Sequence, residues 1–116
     1  MPNRSGSDLI SAAKGRIPEI GAAEAKAMAK PVYLDVREPN EWNLGRVPGA
    51  VFIPRGTLET TVEQRIPREA NVVVYCASGN RSALAADTMR EMGYEHVSSL
   101  RGGFRAWVDA GGEVEG

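Results

Sequence analysis

One short segment holds the residues best suited to chemistry. Cys76-Ala77-Ser78-Gly79-Asn80-Arg81-Ser82 joins the apolar run Val72-Val73-Val74-Tyr75 to a helical pattern. A thiol with a pKa of about 8.5 is only about 3% ionised at neutral pH, and the thiolate is the nucleophile. Making the thiolate the majority form takes about 2.7 kcal/mol of differential stabilisation. The unpaired N–H groups of a first helical turn, the helix dipole and the guanidinium of Arg81 are placed to supply it, while Gly79 lets the backbone curl around the sulfur. A lone cysteine is more often a buried, inert strand residue. Leaving a hydrophobic strand, entering a loop of Ser, Gly and Asn and meeting an Arg at a helix start is an anion-cradle arrangement instead. Cys76 is the only cysteine, so no internal disulfide forms, in keeping with a reducing compartment.

The other candidates are weaker. Asp35 and Arg37 open the charged cluster Asp35-Val36-Arg37-Glu38-Pro39-Asn40-Glu41 directly after an apolar strand. Arg55 follows another strand and enters as a substrate-binding candidate beside the loop residues Ala77, Ser78, Gly79, Asn80 and Ser82. Trp42 and Trp107 read as packing residues. His96, the only histidine, falls in a helix-to-strand turn, which argues against a Cys-His catalytic pair. No Cys, His and carboxylate grouping has metal-ligand spacing, and Gly102-Gly103 lacks the third glycine of a nucleotide fingerprint. The expectation is therefore no cofactor and no metal.

Elements that could position these residues follow from periodicity. Short apolar runs at 17–20, 32–34, 50–53, 72–75 and 97–100 alternate with helical stripes. The stripes lie over 8–14 with Ser7 as cap, over 22–29, through Leu58, Val62 and Ile66, through Leu84 to Met92 ahead of Gly93, and from about Phe104 to Gly111. Between 35 and 41 the pattern reads as a polar loop. Alternation of this kind indicates a parallel sheet covered on both faces, with ligands beyond the carboxyl ends of the strands, where Asp35 and Cys76 both fall. The 116 residues are 42% hydrophobic and 25% charged, the composition of one globular domain. Residues 1–116 form that single domain, with its core at about 17–110 and loose ends at 1–6 and 112–116. A net charge of −1 spread along the chain shows no basic face for nucleic acid or membrane, and no window has the length of a bilayer span. A cytoplasmic protein is expected.

The chain resembles single-domain rhodaneses from about Ile17 to Trp107. The likeness is carried by Leu34-Asp35-Val36-Arg37-Glu38 with Glu41-Trp42, by Gly45-Arg46-Val47-Pro48-Gly49-Ala50, by Cys76 to Ser82, and by Leu100-Arg101-Gly102-Gly103-Phe104 with Ala106-Trp107. The resemblance implies an α/β fold, a single rhodanese-like domain with a five-stranded parallel sheet flanked by helices on both faces. It implies a persulfide on Cys76, loaded from thiosulfate or a persulfide donor and passed to a thiol or cyanide, with Arg81 as a catalytic partner. It also suggests that Asp35 and Arg37 brace the loop through hydrogen bonds, and it admits a sulfur-relay protein as partner. Arg46 stands where rhodaneses commonly carry His. The same fold, as the family implies, serves phosphatases and arsenate reductases whose loop is one residue longer between Cys and Arg; the four residues Ala77 to Asn80 fit a sulfur better than a phosphate. A non-catalytic partner-binding module is the remaining alternative. Arg81 is the loop's only cation, which makes the dianion thiosulfate a poor donor on this reading and a persulfide the better one.

Overall fold

The structure, a computed structural model, describes residues 3–116. In chain order the elements are α1 (Gly6–Arg16), β1 (Glu19–Ile20), α2 (Ala22–Ala27), β2 (Val32–Asp35), α3 (Pro39–Leu44) and β3 (Val51–Phe52). A 3-10 turn at Arg55–Thr57 leads into α4 (Leu58–Arg65), then β4 (Val72–Tyr75), α5 (Asn80–Glu91), β5 (Val97–Leu100) and α6 (Gly103–Asp109). The five strands form one parallel sheet in the order β1-β5-β4-β2-β3. Central β4 reads Val-Val-Val-Tyr because every one of its residues is buried, Val72 and Val74 on one face of the sheet and Val73 and Tyr75 on the other. The first face packs with Leu58, Val62, Ile66, Ala83, Ala86 and Met89 of the α4 and α5 region, and the second with Ala22, Ala25, Leu100 and Trp107.

Two differences from the sequence reading have local causes. Helix α1 begins earlier than residue 8, because Ser5 rather than Ser7 is its cap: the Asp8 amide donates to Ser5 Oγ, and the Ser5 amide to the Asp8 carboxylate. The polar cluster after β2 is only partly a loop. Pro39 begins the six-residue helix α3, and the Glu38 amide donates to Glu41 Oε1. Residues 1–2 of the expected loose N-terminal end lie outside the described residues. The C-terminal end has partners: Trp107 Nε1 donates to Glu113 O, and Arg46 and Glu115 exchange backbone hydrogen bonds at 2.9 Å.

Helix α1 is tied to α5 by charge. Arg16 donates twice to Asp87, at 2.9 and 2.7 Å, and Arg90 donates to the same carboxylate. The Arg16 hydrogen bond is the main cause holding the Asp87 carboxyl below its ordinary value of 3.8. A carboxylate depressed in the folded state stabilises above its unfolded pKa, and the contribution disappears as pH falls through the lower folded value. The loss therefore falls below about pH 4. Asp87→Asn should lower the melting temperature by about 3–6 °C at pH 7, and its melting curve series should fall less steeply than wild type between pH 4 and 2. Parallel decline of the two proteins over that range would contradict the assignment.

Candidate active site

The end of β4 delivers Cys76 to the start of α5, and the sulfur completes that helix. Gly79 is the N-cap of α5 and has no side chain to receive the orphan amides of the first turn. Cys76 Sγ takes that place, accepting from the Gly79 amide at 3.1 Å and the Ser82 amide at 3.3 Å. Gly79 needs its φ of +106°, and a Cβ there would meet Gly102 N at 3.4 Å. The Ser82 hydroxyl lies 3.4 Å from the sulfur and 2.8 Å from Ser99 Oγ on β5. Ser82 and Ser99 are both fully buried. In the thiol the S–H donates toward Ser82; in the thiolate the hydroxyl direction reverses, and Ser99 can donate to Ser82 while Ser82 donates to sulfur. Two amides and a hydroxyl thus surround one atom, beside the positive end of a 12-residue helix.

From behind, α6 holds the loop. The Phe104 amide donates to Cys76 O at 2.7 Å and the Arg105 amide to Ala77 O at 3.3 Å. Cys76 is buried, whereas Ser78 and Asn80 are exposed on the loop's outer side.

Arg81 is turned elsewhere than the sequence reading placed it. Its two terminal nitrogens reach Glu41 Oε1 at 3.0 Å and Oε2 at 3.2 Å, a two-point pair between α5 and α3. This hydrogen bond is the main reason the Arg81 guanidinium is held above its ordinary value and the Glu41 carboxyl below its own. Asp35 and Arg37 form a buried pair of their own. Arg37 Nε and Nη2 donate to the Asp35 carboxylate at 3.0 and 2.7 Å, and Nη2 donates to Gly45 O at 2.6 Å. Its guanidinium lies over the Phe104 ring at 4.4 Å and the Tyr75 ring at 5.5 Å. Among the described residues neither Asp35 nor Arg37 hydrogen-bonds to residues 76–82, so their connection to the loop runs through Tyr75 and Phe104, which flank it. Burial works against the Arg37 charge, and Asp35 outweighs it, so the guanidinium stays above its ordinary value.

Arg55 donates to Glu59 and Thr88, neither in the Cys76 loop. Trp42 stacks on Phe52 at 4.9 Å with Arg46 above it, Trp107 packs edge-on to Tyr33, and His96 is exposed. A cavity of about 390 Å³ between Lys26, Tyr33, Val47, Pro48 and Trp107 touches no loop residue. Among the described residues no three potential metal ligands come together. Sequence reasoning passed over Ser99 and the pairing of Glu41. A signal existed for Ser99: a hydroxyl inside an otherwise apolar parallel strand needs a partner.

Known proteins share this framework. A sulfurtransferase of Allochromatium vinosum is 37% identical over 80 residues, 69% of this chain and 74% of that protein. A putative mitochondrial thiosulfate sulfurtransferase of Schizosaccharomyces pombe is 32% identical over 90 residues, and a putative sulfur carrier protein of Bacillus subtilis is 32% identical over 109. They cover 67% and 90% of this chain, which spans only 63% and 58% of their lengths. Among solved structures, a Rhodopseudomonas palustris protein of unknown function, described as a possible tyrosine phosphatase, matches with a TM-score of 0.87 at 36% identity over 99% of both chains. The rhodanese-like domain of an Anabaena protein matches with a TM-score of 0.79 at 31% identity, over 85% of this chain and 79% of that one. The model of the rhodanese-like domain covers residues 21–110, from the turn before α2 to the end of α6, and this chain therefore belongs to the rhodanese-like domain family.

Proposed function

We propose that this chain is a sulfurtransferase that carries a sulfane sulfur on Cys76. Relatives named sulfurtransferase support the general activity. The observation that carries the specific reading is the surroundings of Sγ: it accepts from the Gly79 and Ser82 amides, and the Ser82 hydroxyl lies 3.4 Å from it. The Cys76 thiolate attacks the outer sulfur of a donor. With thiosulfate the S–S bond breaks, sulfite leaves with the bonding electron pair, and Cys76 holds a persulfide. An acceptor thiolate or cyanide then attacks the outer sulfur, and the Cys76 thiolate leaves with the electron pair of the Sγ–S bond. Donors fixed around Sγ assist both steps, because that atom is the nucleophile in the first and the leaving group in the second. No proton donor or metal is required for either displacement. The donor and acceptor are small molecules, or a sulfur-relay protein, a role suggested by the relative named a sulfur carrier protein.

The test is thiocyanate formation from cyanide and a sulfane donor. Wild type should turn over, and Cys76→Ser should fall to the uncatalysed background. The name of one structural neighbour raises phosphoryl transfer as the competing reading. Hydrolysis of an aryl phosphate that is abolished by Cys76→Ser, with no thiocyanate formed, would replace the sulfurtransferase reading.

A further inference from the structure

We propose that Glu41 sets the charge of the sulfur donor, by holding Arg81 in a two-point ion pair at the Cys76 loop so that the site favours donors of low negative charge over dianions. The inference rests on the sulfurtransferase reading and deepens it. Attack of a thiolate on thiosulfate brings one negative charge against two, and a nearby free cation is the ordinary means of offsetting that repulsion. Arg81 is the only cation within the loop, since Ala77, Ser78, Gly79 and Asn80 are neutral.

Its guanidinium is committed. Both terminal nitrogens bond Glu41, at 3.0 and 3.2 Å, in the geometry that satisfies a carboxylate most fully. The Glu41 end is fixed as well, because Oε1 also accepts from the Glu38 amide at 3.0 Å in the first turn of α3. The Arg81–Glu41 pair carries no net charge. A dianion arriving there meets no free positive charge in the loop, whereas a persulfide anion on a neutral carrier meets about half the repulsion. One further cation begins at the rim: the Arg105 amide donates to Ala77 O, and its side chain is exposed, where solvent and salt weaken its pull.

Glu41→Gln keeps the shape of the side chain and removes its charge, leaving Arg81 able to meet an incoming anion. The measured quantity is the ratio of kcat/KM for thiosulfate to kcat/KM for N-acetylcysteamine persulfide. In Glu41→Gln this ratio should rise about tenfold, mainly through a lower KM for thiosulfate. Sulfate, a dianion that takes no part in the transfer, should inhibit the variant at lower concentration than wild type, a binding readout that general loosening of the fold would not produce. Glu41→Asp, one carbon shorter, should raise the ratio less, and it keeps the test available if the Gln variant fails to fold. A ratio unchanged within about twofold in the folded variants, with wild type active, overturns the role of Glu41. A collapse of the ratio in Arg105→Gln with no rise in Glu41→Gln overturns it too, by assigning donor charge to Arg105. Absence of transfer from either donor in wild type overturns the sulfurtransferase reading instead.

Discussion

Arg37→Met is expected to cost about 3–5 kcal/mol of folding stability, a large part of what a domain of this size possesses. The Asp35 carboxylate is fully buried at the end of β2, and Arg37 is its charge partner. Met fills the volume of the stem but leaves that carboxylate buried without a counter-charge, and Gly45 O loses its donor. The rings of Tyr75 and Phe104 also lose the guanidinium between them. Replacing both members, Asp35→Leu with Arg37→Met, should recover most of the loss, since two apolar side chains carry no desolvation penalty. Urea unfolding of the two variants measures both quantities. A single substitution costing under about 1 kcal/mol would show that water reaches Asp35 and that the pair is not the brace described here.

Gly103→Ala should damage both stability and activity. Gly103 has a φ of +61°, and a Cβ built there would press into the backbone of Cys76 and Ala77, with Ala77 C and O each at 2.6 Å. These neighbours are backbone atoms, not the end of a flexible chain, so either α6 or the loop must move. Strain of this kind costs about 2–4 kcal/mol. Displacement of the Cys76 loop by about 1 Å would lower turnover about 100-fold, because the amides of Gly79 and Ser82 must stay aimed at the sulfur. Thermal unfolding together with turnover in the folded fraction separates the two effects. Activity retained in a destabilised variant would mean that α6 yields while the loop does not.

The parts of this molecule that sequence made legible are those governed by local pattern. Val72 to Tyr75 followed directly by Cys76 announces a buried strand that ends on the cysteine, and the sheet places that strand at its centre. The parallel order with helices on both faces follows from short apolar runs alternating with amphipathic stripes. What sequence concealed depends on side chains distant along the chain. Helix α3 is short and mostly polar, so its periodicity is lost among charged residues, although Pro39 at its first position was a usable start signal. The Arg81–Glu41 pair joins residues 40 apart, and an Arg at a loop end looks the same in sequence whether it faces the sulfur or a carboxylate. Asp35 and Arg37 are only two apart, yet their direction into Gly45 and the Phe104 ring needs the folded turn.

The central claim, that Cys76 carries transferable sulfur, is tested most directly by the intact mass of the protein after incubation with a sulfane donor and removal of excess reagent. Wild type should gain the mass of one sulfur atom, lose it on addition of cyanide with formation of an equivalent of thiocyanate, and show no gain when Cys76 is replaced by Ser. No adduct from thiosulfate or from N-acetylcysteamine persulfide, in protein that is folded and reduced, would contradict the account and leave a partner-binding domain in its place.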